Sequence, residues 1–175
     1  MKVNDLIVNN LVLSNIPFEF EGRELSVPLQ AKLMILKASY RKEVRAIQER
    51  LDEIINSLKP LDYDSLYLKV ERMKVLESVE NPTDDELKEA ECIRNNEFKD
   101  FESKKSVLDE KVGIAYQQII SEDTYVDVKG LTNEEYTEIY SMIGSKGTIP
   151  YENGEAKYNV LRIEFLNMIA ERLIK

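Results

Sequence analysis

Residues 28–58 read PLQAKLMILKASYRKEVRAIQERLDEIINSL. Apolar side chains fall at Leu29, Leu33, Leu36, Tyr40, Val44, Ile47, Leu51, Ile54 and Leu58, always three or four positions apart. That recurrence keeps all of them on one side of an α-helix. Pro28 suits the first helical turn, Ser26 stands just upstream where a cap is expected, and Pro60 closes the segment. At 1.5 Å per residue the helix would be about 45 Å long. Such length predicts a mainly α protein in which long antiparallel helices pack as a bundle or coiled coil.

Upstream, Phe18–Val27 alternates apolar and polar residues around Glu21-Gly22, which predicts a small β-hairpin. A hairpin of this size needs helices to lie against. Downstream, Leu66, Val70, Met73 and Leu76 or Val79 mark a second helix over about 64–80, stopped by Asn81-Pro82. Thr83 and Glu86 form a capping box for a third, carrying Leu87, Ala90, Phe98, Phe101, Leu108 and Val112 to about Lys111. Arg94 and Lys105 interrupt its stripe, and Gly113 is expected to break it. Residues 125–128 suggest a short extended piece. A second capping box, Thr132 with Glu135, opens a helix that ends at Gly144. A loop over 144–154, with 148–151 extended, leads to a last helix over about 155–174 that carries Tyr158, Leu161, Phe165, Ile169 and Leu173. The expected organisation is a single domain over 1–175. It comprises a hairpin region (1–27), long helices (28–112) and an extended piece with a C-terminal helical cap (113–175).

The composition narrows the chemistry. The chain of 175 residues has no histidine, which removes His-assisted Ser and Cys nucleophiles and the usual neutral-pH acid–base. Cys92 is the only cysteine, so neither a disulfide within the chain nor a Cys/His zinc site is expected. No catalytic, cofactor-binding or metal-binding residue is assigned. No apolar run is long enough to span a bilayer. Asn9-Asn10 split the apolar runs near the start, so no signal-peptide core forms. The protein is expected to stay in the compartment where it is made.

Net charge is −9, which argues against a protein that coats nucleic acid with its surface. The charge is uneven. Lys32, Lys37, Arg41, Lys42, Arg45 and Arg50 face only Glu43 and Glu49 within 32–50, whereas 84–110 holds ten acidic residues against five basic ones. Lys37, Arg41 and Arg45 repeat every fourth residue with Lys42 on their flank, a strip suited to an acidic partner or a phosphate backbone. Internal neutralisation by the acidic helix over 84–110, or plain solvation of both faces, is the simpler account. These four residues are nevertheless the ones singled out for partner contact, together with the C-terminal face of Phe165, Ile169 and Leu173.

Three other patterns bear on chemistry. All-helical nucleotide pyrophosphohydrolases hold Mg²⁺ with paired E-x-x-E and E-x-x-D motifs. Glu86/Glu89 and Glu97/Asp100 are superficially similar but lie on one helix, and Glu49/Asp52 would have to supply a facing pair. A solvated acidic face is the simpler account. Gly144-Ser145-Lys146-Gly147-Thr148 has P-loop ingredients in the wrong order and predicts a turn. Cys92, between Glu91 and Ile93, is expected to be a small apolar filler.

The segments Ser26–Lys37, Tyr40–Val44 and Glu49–Ile55, followed by Glu97–Glu102 and Leu108–Ile114, resemble small helical proteins encoded by bacteriophages and prophages. In those a Pro-started helix with scattered basic residues precedes a second long helix. The likeness is one of residue classes over about 60 positions. The chain departs from it between Pro60 and Pro82 and in a longer C-terminal end. It implies a viral or mobile-element setting and an accessory or virion-associated role, and brings no catalytic residues. The expected function is therefore a non-enzymatic structural or assembly protein acting through helix-mediated contacts with a protein partner or further copies of itself. Nucleic acid and membrane are not expected partners. The alternatives are an acidic inhibitor of a host nucleic-acid-handling or defence protein, and a Mg²⁺-dependent all-α nucleotide hydrolase.

Overall fold

The computed structural model describes residues 1–174 of a mainly α protein with two small antiparallel hairpins. Its elements run α1 (Val3–Ser14), β1 (Glu19–Phe20), β2 (Arg23–Glu24), α2 (Val27–Leu58), α3 (Tyr63–Glu77) and α4 (Asp84–Ile93). A π-helical turn (Arg94–Phe98) then leads into α5 (Lys99–Ser121), followed by α6 (Asn133–Ile143), β3 (Thr148–Asn153), β4 (Ala156–Leu161) and α7 (Arg162–Leu173). The chain divides into two compact units: Met1–Gln48 with the part from Ile120 onward, and Glu49–Ile119.

The first unit is built on the N-terminal part of α2. Leu29, Leu33, Leu36 and Tyr40 are buried, as their spacing predicts, against Leu6 and Leu13 of α1, Ile139 and Ile143 of α6, and Phe165 and Ile169 of α7. The N-terminal hairpin pairs Glu19 with Glu24 and Phe20 with Arg23. Its turn residues Glu21 (φ 50°) and Gly22 (φ 75°) both lie in the left-handed region, the signature of a type I′ turn. Val27, expected on the returning strand, starts α2 instead.

The second unit takes α3, α4, the π turn and most of α5 around Leu66, Val70, Met73, Leu76, Ala90, Ile93 and Phe101. Its helices run antiparallel: Asp62 pairs with Lys104, Lys69 with Glu97, Arg72 with Glu89, and Glu77 with Arg94. The π turn inserts an extra residue, which keeps Ile93 and Phe101 on the α3 side although Arg94 occupies the position where a strict stripe would want an apolar group. Leu87, expected in that stripe, is exposed.

Several expectations need correcting. Val3–Ser14 is a helix that the short apolar runs around Asn9-Asn10 did not disclose. Gly113 does not break its helix. With Leu108 and Ile119 buried and Val112 and Ala115 half-buried at steps of four, three and four, the packed face continues to Ser121 and outweighs one glycine. Residues 125–128 form no strand, because Val128 N–H turns back to the Val126 carbonyl at 2.9 Å. The last helix begins at Arg162. Before it, β3 and β4 pair from Thr148↔Leu161 to Asn153↔Ala156 around Gly154-Glu155. Gly154 (φ 61°) supplies the positive φ that a two-residue hairpin turn needs. Tyr158 and Leu161 fit a helical series with Phe165 by spacing alone, which hid the strand. No helix among the described residues is long and apolar enough to cross a membrane.

Candidate functional site

A helix that buries one apolar stripe normally shows polar residues opposite it. α2 does not. Its turn of 100° per residue places Val27, Ala31, Met34, Ile35 and Ala38 on the side away from Leu29, Leu33, Leu36 and Tyr40. Val27 is 78% exposed, Met34 56% and Ile35 62%, and both alanines are exposed as well. The first three turns of α2 are therefore apolar on both sides, with only one side in the core.

Charged groups bound this outer face. At its C-terminal end Arg41 and Lys42 are exposed, and neither forms an ion pair among the described residues. At its N-terminal end Glu19 and Glu24 stand directly opposite each other in the hairpin, both exposed and neither in an ion pair among the described residues. Like charges in a cross-strand pair repel. On the flanks the charges are already used. Lys32 meets Glu135 at 2.6 Å, and Glu138 accepts from the Ser26 backbone N–H and hydroxyl, tying the start of α2 to α6.

The basic strip is thus not one surface. Lys37 is half-buried: its ammonium donates to the Ile16 carbonyl at 2.7 Å and lies 4.7 Å from the centre of the Phe18 ring. Burial, and secondarily the neighbouring Arg41 charge, hold the Lys37 ammonium below its usual pKa range. Arg45 is exposed and engaged in an interaction of its own. Phe165, Ile169 and Leu173, the other contact face considered from sequence, are buried in the core of the first unit.

The acidic pairs also have local uses. Glu86 caps α4 through Thr83; these hydrogen bonds lower the Glu86 carboxyl pKa. Glu89 pairs with Arg72, Glu97 with Lys69 and Asp100 with Lys104. No group of three or more Asp, Glu or Cys able to hold a metal ion occurs among the described residues. Gly144–Thr148 is a turn leading into β3, in which the Gly147 carbonyl accepts from Arg162 N–H at 3.0 Å. Cys92 is exposed rather than a filler, because Ala90 and Ile93 take the inward positions of its turn. A polar cleft of about 440 Å³ in the first unit, lined by Asp5, Asn9, Glu171 and Arg172 among others, has partly matched charges, with Arg172 3.8 Å from Asp5.

Against models of known protein families, characterised proteins and solved structures, the chain has no match.

The outer face of α2 escaped the sequence reading although its signal was there. Val27, Met34 and Ile35 recur at i, i+7 and i+8 beside the stripe assigned to the core, and a second apolar series on one helix marks a second face.

Proposed function

We propose that the protein is a non-enzymatic structural or assembly protein that works through helix-mediated protein–protein contact, with the outer face of α2 as its contact surface. One observation carries this reading: Val27, Met34 and Ile35 remain largely exposed on a helix whose opposite side is core. Fully burying a Val, Met or Ile side chain is worth about 1.5–3 kcal/mol, so covering three of them on one face favours association. Contiguous apolar surface of this kind marks interaction sites. The phage or prophage setting, in the host cytoplasm or a viral particle, belongs to the same proposal and rests on the sequence resemblance.

The test is a photo-crosslinking amino acid at position 34 of the full chain, with position 146, on the exposed turn before β3, as control. In the cell that makes the protein, position 34 should give one adduct of defined mass, abolished by Ile35→Lys, while position 146 gives none. Absence of an adduct at position 34, or an adduct indifferent to Ile35→Lys, would overturn the proposal.

A further inference from the structure

We infer that the occupant of the α2 outer face is a second copy of this chain, docked antiparallel about a two-fold axis. This rests on the contact reading above and deepens it. The apolar stripe runs from Val27 to Ala38, about 16 Å at the helical rise. Glu24 lies three residues before it and Arg41 three residues after it. A two-fold axis at the middle of the stripe therefore sets Val27 of each copy at the level of Ala38 of the other. It sets Ala31 at the level of Met34, and it brings the N-terminal end of each stripe, where β2 with Glu24 leads into α2, to the Arg41 end of the other.

The same operation brings the acidic hairpin pair, Glu19 and Glu24, to the Arg41-Lys42 end of the partner copy, twice per dimer. Both ends carry charges without ion pairs among the described residues, and the cross-strand repulsion of Glu19 and Glu24 is relieved by cations placed against them. Arg23, the hairpin's cation, is held on the Ser141 carbonyl at 2.9 Å. A parallel pairing would bring the two Arg41-Lys42 ends together and the two acidic hairpins together. Only the antiparallel arrangement is self-complementary, which is the requirement of an isologous two-fold interface. Ala31 and Ala38 let the helix axes approach at the short end of the usual 8–10 Å, with Met34 and Ile35 as the bulky contacts.

A face of this size gives a reversible dimer, so the first measurement is sedimentation equilibrium of the full chain over roughly 1–300 µM, the range in which a small interface dissociates. The expected mass rises with concentration toward twice 20.3 kDa. Met34→Lys with Ile35→Lys should weaken self-association at least about tenfold, the effect of a lost contribution near 1.4 kcal/mol. The circular dichroism of that variant should be unchanged, because both side chains are solvent-facing.

Charge reversal then tests the geometry. Arg41→Glu/Lys42→Glu and Glu19→Lys/Glu24→Lys should each self-associate more weakly than the wild type. An equimolar mixture of the two should regain wild-type affinity as a mixed dimer, since both ends are then matched again. A monomer at every concentration, a dimer indifferent to Met34 and Ile35, or a mixture that fails to recover would overturn the inference. Were the position-34 crosslink to capture a different protein, the contact reading would stand and the second-copy inference would fall; no crosslink at all would remove both.

Discussion

Arg162 stands at the junction of β4 and α7, and its guanidinium ties together pieces of chain far apart in sequence. Nε donates to the Thr148 carbonyl at 3.1 Å, and Nη1 donates to the Ile143 carbonyl at 3.0 Å and to Glu21 Oε2 at 3.2 Å. Nη2 pairs with the other Glu21 oxygen, and the group lies 4.5 Å from the centre of the Phe20 ring. The Arg162 side chain is only 15% exposed, although its Glu21 partner, at 60%, meets solvent. Arg162→Ala should cost about 3 kcal/mol, the scale of losing a charged, largely buried hydrogen-bonding group. Arg162→Lys should recover little, because one ammonium cannot reproduce a planar fork that meets several acceptors. Urea denaturation of the two variants checks this; a lysine variant as stable as the wild type would show that charge alone matters there. Nothing in the sequence distinguished Arg162 from any other cation near a helix start, since its partners lie 14 to 141 residues away. Lys37 shows the same limit: its place in a basic strip was legible, its burial against Ile16 and Phe18 was not.

Two elements allow a sharper check. Gly113 lies inside α5, and a Cβ built on it meets nothing within 4 Å. Gly113→Ala should therefore stabilise the protein by about 0.5–1 kcal/mol, the helix-interior difference between the two residues. Thermal melting would show it as a raised Tm; a lowered Tm would argue against helix at that position. In α6, burial works to raise the Glu135 carboxyl, but the Lys32 ammonium at 2.6 Å and the Thr132 N–H at 2.7 Å outweigh it and hold the group below its usual range. Because the folded state lowers this pKa, its stabilising effect is complete above the unfolded value near 4.5 and is lost as pH falls through the folded value. Glu135→Gln should thus lower stability at pH 7 by about 1 kcal/mol, modest because the pair is partly solvated. The gap to the wild type should narrow as pH falls below the usual Glu value of about 4.3. Equal acid-limb slopes in the two proteins would refute that linkage. Both capping boxes were legible because Thr-x-x-Glu is a local pattern whose partners sit three residues apart. The β3–β4 hairpin was less so, since only Asn153-Gly154 announced it while Tyr158 and Leu161 matched a helical period.

At the scale of the molecule, the helical period of α2, the apolar series of α3 and the mainly α character follow from residue order alone. They depend on the 3.6-residue period and on local caps, which neighbouring residues supply. The choice between the two apolar sides of α2 does not. Leu29, Leu33, Leu36 and Tyr40 on one side and Val27, Met34 and Ile35 on the other both satisfy the helical period. Only the packing of α1, α6 and α7 decides which becomes core. Those helices bring Leu6, Ile139 and Phe165 to the same patch of α2 from opposite ends of the chain. Residue order therefore sets which residues can share a helix face. Packing between elements selects which face is buried, which charges are consumed by ion pairs, and hence which surface remains to meet a partner. Burial depends on contacts distant in sequence, and no local pattern encodes them.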